Sequence, residues 1–153
     1  MIDGELTMIK TKSVGAVILR PELLRTYQRT GGAQTTPLVS ASVGAKVFIN
    51  GITSFEPNAA LPFHSHNCEE SVVLLEGKAA LDIEGCEHVL QILDTTWIPP
   101  NVSHRFRNLS QTEPMKILWI YGSVDVSRTL TETGTTNSIS AEHQETPGKP
   151  RAY

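Results

Sequence analysis

The 153-residue sequence lacks the features of proteins that bind nucleic acids or span membranes. It has no basic surplus, because 13 Lys and Arg residues stand against 16 Asp and Glu residues and the net charge is -3. Binding to a polyanion requires clustered cations, so no nucleic-acid partner is expected. The longest apolar runs, 72–75 and 117–121, are far shorter than the roughly 20 residues of a membrane-spanning helix. No membrane partner is expected either.

Cysteine is almost absent. The two cysteines, Cys68 and Cys86, are too few for the network of disulfides that stabilises small secreted domains. The first residues include Asp3 and Glu5 and do not resemble the cationic, apolar leader of a secreted protein. We therefore expect a cytoplasmic protein with reduced thiols.

Helical periodicity is also scarce, whereas short apolar and β-branched segments recur. They are separated by Gly, Pro and Asn turns and lie at 38–43, 46–55, 71–75, 78–83, 88–92, 95–98, 104–108 and 116–121. Even spacing without intervening helices predicts an all-β antiparallel sandwich or barrel. One short helix is predicted from Pro21, with Gly31 and Gly32 at its end.

Three of the five histidines lie in two short segments. His64 and His66 are two residues apart, so on an extended strand both imidazoles point to the same face. Glu70 follows a short bend and can bring a carboxylate to the same centre. His104 begins a later strand, after a turn fixed by Pro99. The two segments therefore look like parts of one site.

These segments resemble the two motifs of the cupin superfamily, a small β-barrel fold. The resemblance covers roughly residues 38–122 and uses several spacings at once. The six-residue gap to Gly77 selects Glu70 over its neighbour Glu69 as the carboxylate. The pattern G-x5-H-x-H-x(3,4)-E-x6-G matches His64, His66, Glu70 and Gly77, and the pattern G-x5-P-x-G-x2-H-x3-N matches Pro99, His104 and Asn108.

Three glycines of these motifs are replaced. Asn58 and Leu93 stand at the leading glycines of the first and second motifs, and Asn101 stands at the glycine after Pro99. Asn tolerates left-handed turns, so Asn58 and Asn101 are expected to serve in these turns. Leu93 affects only the local turn geometry.

The resemblance implies an all-β fold with a single cupin barrel, also called a jelly roll or double-stranded β-helix. It implies that His64, His66, Glu70 and His104 bind one divalent metal inside this barrel. Three imidazoles and one carboxylate suit Fe, Mn, Ni, Co, Cu or Zn, and the donor set does not select among these metals.

The implied function is a metal-dependent enzyme for a small-molecule substrate, with Glu70 and His104 as its catalytic residues. An Fe-type dioxygenase is the leading interpretation. A metal-assisted isomerase, decarboxylase or lyase for a small oxo or hydroxy acid is the first alternative. A non-catalytic sensor that binds a small ligand is the second.

The length predicts one domain with extensions at both ends. Residues 1–36 hold a strand and the short helix, residues 37–126 form the barrel, and residues 127–153 form a polar C-terminal segment. Residues 140–153 have almost no aliphatic side chains, so this last part is expected to be flexible and dispensable for metal binding.

Several other side chains have two interpretations. Trp119 and Tyr121 lie on a strand with two apolar faces, which favours core packing over a pocket role. This strand and the extended segments before Thr36 also predict a homodimer in which the N-terminal strands pack on, or add to, the partner's sheet. Arg128 is a candidate for binding a substrate carboxylate, but a surface salt bridge is favoured. The remaining interpretations are Phe106 as a pocket wall or a core residue, Cys68 as a small buried loop residue, His88 as a surface residue and His143 as a tail residue.

Overall fold

The structure is a computed structural model that describes residues 8–10 and 15–143 of the chain. These residues form fourteen β-strands, two 3₁₀ turns and one short α-helix, which confirms the all-β prediction. Two six-stranded antiparallel sheets face each other as the halves of a jelly roll. None of the helices in this part of the chain is long and apolar enough to cross a membrane.

A two-stranded ribbon of β1 (Met8–Lys10) and β2 (Val17–Leu19) comes before the two sheets. The strands of the sheets are β3 (Tyr27–Arg29), β4 (Ala33–Pro37), β5 (Ile49–Phe55), β6 (His64–His66), β7 (Glu70–Glu76), β8 (Ala79–Ile83), β9 (Cys86–Leu90), β10 (Thr95–Ile98), β11 (His104–Asn108), β12 (Met115–Tyr121), β13 (Ser127–Leu130) and β14 (Thr136–Ser138). Sheet one has the order β10-β7-β12-β5-β4-β3, and sheet two has the order β14-β13-β6-β11-β8-β9. The helix α1 (Ile139–Glu142) directly follows β14.

Alternating burial along the strands shows which face of each sheet forms the core. Every second residue of β5 and β12 is buried, as expected for strands with one face on the core. The strands β6 and β11 of sheet two show the same alternation. The large apolar side chains between the sheets include Phe55, Leu74, Ile98, Phe106, Met115 and Ile117. The same alternation turns three histidines of sheet two inward.

The predicted terminal extensions contribute to both sheets. The strands β3 and β4, from the predicted N-terminal extension, complete one edge of sheet one. From the predicted C-terminal segment, β13 and β14 complete one edge of sheet two. Residues 140–153 were predicted to be flexible, but residues 140–142 belong to α1, and residues 144–153 lie outside the described residues.

The helix predicted from Pro21 is a single 3₁₀ turn, Pro21–Leu23, and does not continue towards Gly31. Tyr27–Arg29 instead forms β3, which pairs with β4. Gly31 and Gly32 have positive φ and lie in the turn between these two strands. Pro21 therefore correctly predicted only the first helical turn. Pairing with the sheet determined the conformation of the residues that follow.

Residues 38–43 differ from their strand prediction, because they contain the 3₁₀ turn Ala41–Val43. The Ser40 hydroxyl accepts a hydrogen bond from the Ser42 amide at the start of this turn. Gly44 ends it with a φ of 96°. These local signals favour a turn over an extended strand.

Three turns keep a left-handed backbone at the positions where the cupin motifs have glycine. Asn58, Leu93 and Asn101 have φ values of 63°, 73° and 65°. The two asparagines behave as predicted. Leu93 is the strained case, because the left-handed conformation costs an L-residue about 1–2 kcal/mol. Its amide donates to the Leu74 carbonyl at 2.8 Å, which holds this turn against β7.

Replacing Leu93 by Gly should raise the free energy of unfolding by about 0.5–1 kcal/mol, since glycine relieves the left-handed strain. The Leu93 side chain is 70% exposed, so little packing is lost. Equilibrium urea unfolding measures the change. The matched control is Ile92→Gly in the same exposed turn, where φ is not positive and the substitution should lower stability. A less stable Leu93→Gly protein would contradict the strain assigned to this turn.

Candidate metal centre

Strand register brings the four predicted ligands to one place between the sheets. His64 on β6 lies directly opposite His104 on β11, and His66 shares the inward face of β6. Glu70 begins β7 in the other sheet and points at the same region. All four side chains are buried, and their ligand atoms lie within 4.8 Å of one another. The predicted residues thus form one cluster.

Main-chain carbonyl groups orient the three imidazoles. A carbonyl oxygen only accepts a hydrogen bond, so each Nδ1 atom carries the proton and donates it. In the neutral ring each Nε2 atom therefore has its lone pair available, which is what a metal-binding histidine requires. The Nδ1 distances are 2.7 Å from His64 to the Pro62 oxygen, 3.0 Å from His66 to the Ser127 oxygen and 2.9 Å from His104 to the Val102 oxygen.

Three polar atoms at the centre have no hydrogen-bond partner within the described part of the chain: His66 Nε2, Glu70 Oε2 and His104 Nε2. The Glu70 oxygen lies 2.8 Å from His104 Nε2 and 3.5 Å from His66 Nε2, so these three atoms point at one another. Buried polar atoms are normally paired. This donor set therefore fits a divalent metal, which would be coordinated by the four side chains.

Burial and mutual contacts set the protonation of the cluster. Burial, together with His66 and His104, lowers the pKa of His64 to about 3, and burial also lowers the pKa of His66. Burial by itself would raise the pKa of Glu70, but His104 and the other two imidazoles lower it. Glu70 in turn raises the pKa of His104 against the effect of burial. A proton on His104 therefore competes with a metal, so metal affinity should increase with pH.

The cluster borders a narrow cavity of about 20 Å³. This volume holds about one water molecule. Aromatic side chains form much of its wall. The Tyr121 ring lies 4.4 Å from the His66 ring, and Trp119 stacks on Tyr121 at 4.8 Å. Phe106 completes this part of the wall.

Residues 51–121, which include all four clustered side chains, match the sequence profile of the cupin domain family. This match supports a cupin domain in that part of the chain. Solved structures share this fold, and at these identities the likeness concerns the fold alone. The polyketide cyclase RemF from Streptomyces resistomycificus has a TM-score of 0.65 at 16% identity over 80% of this chain and 84% of that chain. An RmlC-like cupin from Shewanella frigidimarina NCIMB 400 has a TM-score of 0.59 at 18% identity over 76% of this chain and 94% of that chain.

One curated relative of the cupin domain is the polyketide synthase CurC of Streptomyces cyaneus. The two sequences are 31% identical over 87 residues, which make up 56% of this chain and 56% of that protein. The chain spans about half the length of the curated relatives it matches.

Two aromatic residues of the cupin domain line the cavity, although core packing was the favoured interpretation. Trp119 and Tyr121 are 4% exposed and also form the cavity wall, so they are core residues and pocket residues at once. The Trp119 indole nitrogen donates to the Thr53 hydroxyl at 3.0 Å. This hydrogen bond fixes the orientation of the indole in the wall.

Charged residues that the sequence interpretation placed elsewhere also line the cavity. Arg128 was predicted to form a surface salt bridge, but it is 5% exposed and donates to Glu142 Oε2 at 2.7 Å. Arg29 on β3 donates to the same oxygen at 2.7 Å. His143 was predicted to be a tail residue, but it lines the cavity as well. The segment after Ile139 therefore supplies side chains to the cavity.

Sequence reasoning missed Arg29 and Glu142 for identifiable reasons. Arg29 lies in the segment that was predicted to be helical, so its inward position on a strand was not recognised. Glu142 lies in a polar stretch without large apolar side chains. The two residues are 113 positions apart, and no local spacing connects them.

The other residues that the sequence analysis singled out lie outside the metal-ligand cluster. Glu69 is exposed, in agreement with the choice of Glu70. Cys68 is buried, as predicted, and burial raises its pKa. His88 is exposed on β9. Asn108 is buried, and its side-chain amide donates to the Glu56 and Glu113 carbonyls at 3.0 and 2.8 Å, which fastens the end of β11.

Replacing His64 and His66 together by Ala should abolish stoichiometric metal binding, because two of the four donors are removed. Elemental analysis of the purified protein measures metal per chain, and circular dichroism checks that the β-fold remains. The control is His88→Ala, which removes an exposed imidazole and should leave the metal content unchanged. Unchanged metal content in the double variant would show that the ion binds elsewhere.

Proposed function

We propose that this cupin domain is a divalent-metal-dependent enzyme for a small oxygen-containing molecule. The observation that supports it most is the set of buried donor atoms of His66, Glu70 and His104, which lack hydrogen-bond partners among the described residues. Glu70 also lines the cavity. A bound divalent metal would supply Lewis-acid activation of an oxygen atom and, if it is iron, redox chemistry with dioxygen. Four protein donors leave room for an exchangeable ligand on a metal that prefers five or six.

Side chains of the chain itself shape the space around this centre. Ile117, Phe106 and Trp119 form an apolar wall that limits the entry of water and strengthens electrostatic interactions inside. Tyr121 lies directly opposite Glu70 in the pairing of β12 and β7. Burial, Glu70 and Glu142 raise the pKa of Tyr121 well above its ordinary value. Its hydroxyl therefore stays protonated, and we assign it the role of a hydrogen-bond donor to the bound molecule.

Glu70 and His104 are the proposed catalytic residues. Both belong to the ligand set, and their facing atoms are 2.8 Å apart. The raised pKa of His104 and the lowered pKa of Glu70 place the exchangeable proton of the metal-free cluster on the imidazole. Loss of that proton prepares both residues to hold the ion.

We place an Fe-type dioxygenase first among the reactions. The three-imidazole donor set suits iron, and the narrow, aromatic-walled cavity favours a reaction from which water is kept away. A second candidate is an oxygen-independent rearrangement or ring closure of a polycarbonyl compound. The 31% identity to a polyketide synthase favours this candidate.

Iron-loaded protein should consume dioxygen only when a substrate from a panel of phenols, keto acids and β-diketones is present. An oxygen electrode measures uptake. His104→Ala should lower the turnover by on the order of 100-fold, and His88→Ala should not change it. Turnover that persists under nitrogen and with Zn would contradict the dioxygenase and favour the second candidate. Saturable ligand binding without turnover under any condition would favour a sensor.

We also propose that the cupin domain forms a homodimer through the outer face of sheet one. Four outward-facing side chains on β7 and β12 are apolar and half-buried: Val73, Leu75, Leu118 and Ile120. Trp97 on the edge strand β10 is 64% exposed. An apolar patch of this kind often marks a protein–protein contact, and a second copy of the same face is the simplest partner.

Light scattering should give twice the chain mass of 16.7 kDa. Trp97→Asp should shift the protein to the monomer, because it places a charge on the proposed interface. The matched control is Val89→Asp on β9 of sheet two, where the side chain is 51% exposed and the dimer should persist. A wild-type monomer at micromolar concentration would contradict the homodimer.

A further inference from the structure

Two buried arginines from opposite sheets share one carboxylate oxygen inside the cupin domain. Arg29 on β3 and Arg128 on β13 are 8% and 5% exposed. Both line the cavity that contains His64 and Glu70. Each donates to Oε2 of Glu142 at 2.7 Å. Paired guanidinium groups around a carboxylate are a typical arrangement for recognition of a carboxylate ligand.

The arginine pair is positioned by the sheets, and this positioning places it beside the metal centre. Arg128 lies directly opposite His66 in the pairing of β13 and β6. Arg29 donates to the Thr35 hydroxyl at 3.4 Å, and that hydroxyl shares a hydrogen bond of 2.9 Å with Thr53. The Arg29 guanidinium therefore has a partner on a sheet strand besides Glu142, and the pairing of β13 with β6 sets the backbone position of Arg128.

Glu142 belongs to α1, which separates two cavities. Ile139 and His143 line the inner cavity at the metal centre and also an outer cavity of about 570 Å³. The inner cavity holds about one water molecule, so an organic substrate does not fit while α1 is in place. The outer cavity has the size of a small-molecule site. Movement of α1 would join the two.

We propose that Arg29 and Arg128 form a subsite for the carboxylate of a small-molecule substrate, and that Glu142 occupies this subsite until the substrate displaces it. The identification of the ligand as a substrate rests on the proposed function; the carboxylate subsite itself does not. Exchange of one carboxylate for another keeps both arginines paired, which avoids the large cost of leaving a buried charge alone. The four-residue helix α1 has little stability of its own, so it can leave once Glu142 is released.

Calorimetric titration of the full chain with acetate, pyruvate and benzoate tests the subsite, with acetamide, pyruvamide and benzamide as neutral counterparts. Glu142→Gln should bind at least one carboxylate about tenfold or more tightly than the wild type, because the competing internal carboxylate has been removed. Arg128→Gln should lose this binding. The matched control is Arg105→Gln, since Arg105 pairs with Asp82 at 2.7 Å outside the cavity and its loss should not affect carboxylate affinity.

Hydrogen exchange of the wild-type protein provides a second measurement, which does not require Glu142→Gln to fold. A bound carboxylate should increase exchange in residues 139–143, and the matched amide should not. Equal carboxylate affinity in wild type and Glu142→Gln would overturn the proposal, as would unchanged exchange in α1 with a carboxylate bound.

Titrations of metal-free and metal-loaded samples separate this proposal from the proposed function. Carboxylate binding by a protein that cannot take up metal would support the subsite and contradict the metal-dependent enzyme. Stoichiometric metal uptake without binding of any of the three carboxylates would contradict the subsite and leave the metal centre in place.

Discussion

Burial of a carboxylate and three imidazoles around one point is unfavourable unless something binds the atoms that they present to each other. In this cupin domain, the surrounding structure keeps those atoms in place. The pairing of β6 with β11 sets His64 opposite His104, and main-chain oxygens hold all three rings with Nε2 directed inward. The fold thus maintains an arrangement that would be destabilising without a cation, which is why the metal is central to the proposed function.

The same two sheets that hold the donor atoms also define what can reach them. Trp119 and Tyr121 close one side of the cavity with aromatic surface, and Ile139 of α1 lines another. Chemistry at the metal centre therefore requires a change in the covering segment as well as a suitable ion. A cupin fold hosts many reactions, so the selectivity for a substrate must come from these walls and not from the ligand set.

Short-range sequence patterns were sufficient to predict the cluster of three histidines and Glu70 and most of the strands. The separation of His64 and His66 by two residues indicates a shared face, and Asn58 and Asn101 keep the left-handed turns at which the motifs have glycine. Contacts between residues far apart in the sequence could not be predicted from such local patterns. Arg29 and Glu142 are 113 positions apart and meet only in the folded chain. The helix signal at Pro21 also concealed the strand that carries Arg29.

Anomalous diffraction from crystals of metal-loaded protein tests the central claim most directly. One peak should lie about 2.0–2.2 Å from the Nε2 atoms of His64, His66 and His104 and from a Glu70 carboxylate oxygen. The three Nδ1 atoms should remain hydrogen-bonded to their main-chain oxygens. A peak at any other residues, or coordination through Nδ1, would contradict the metal centre described by the four side chains.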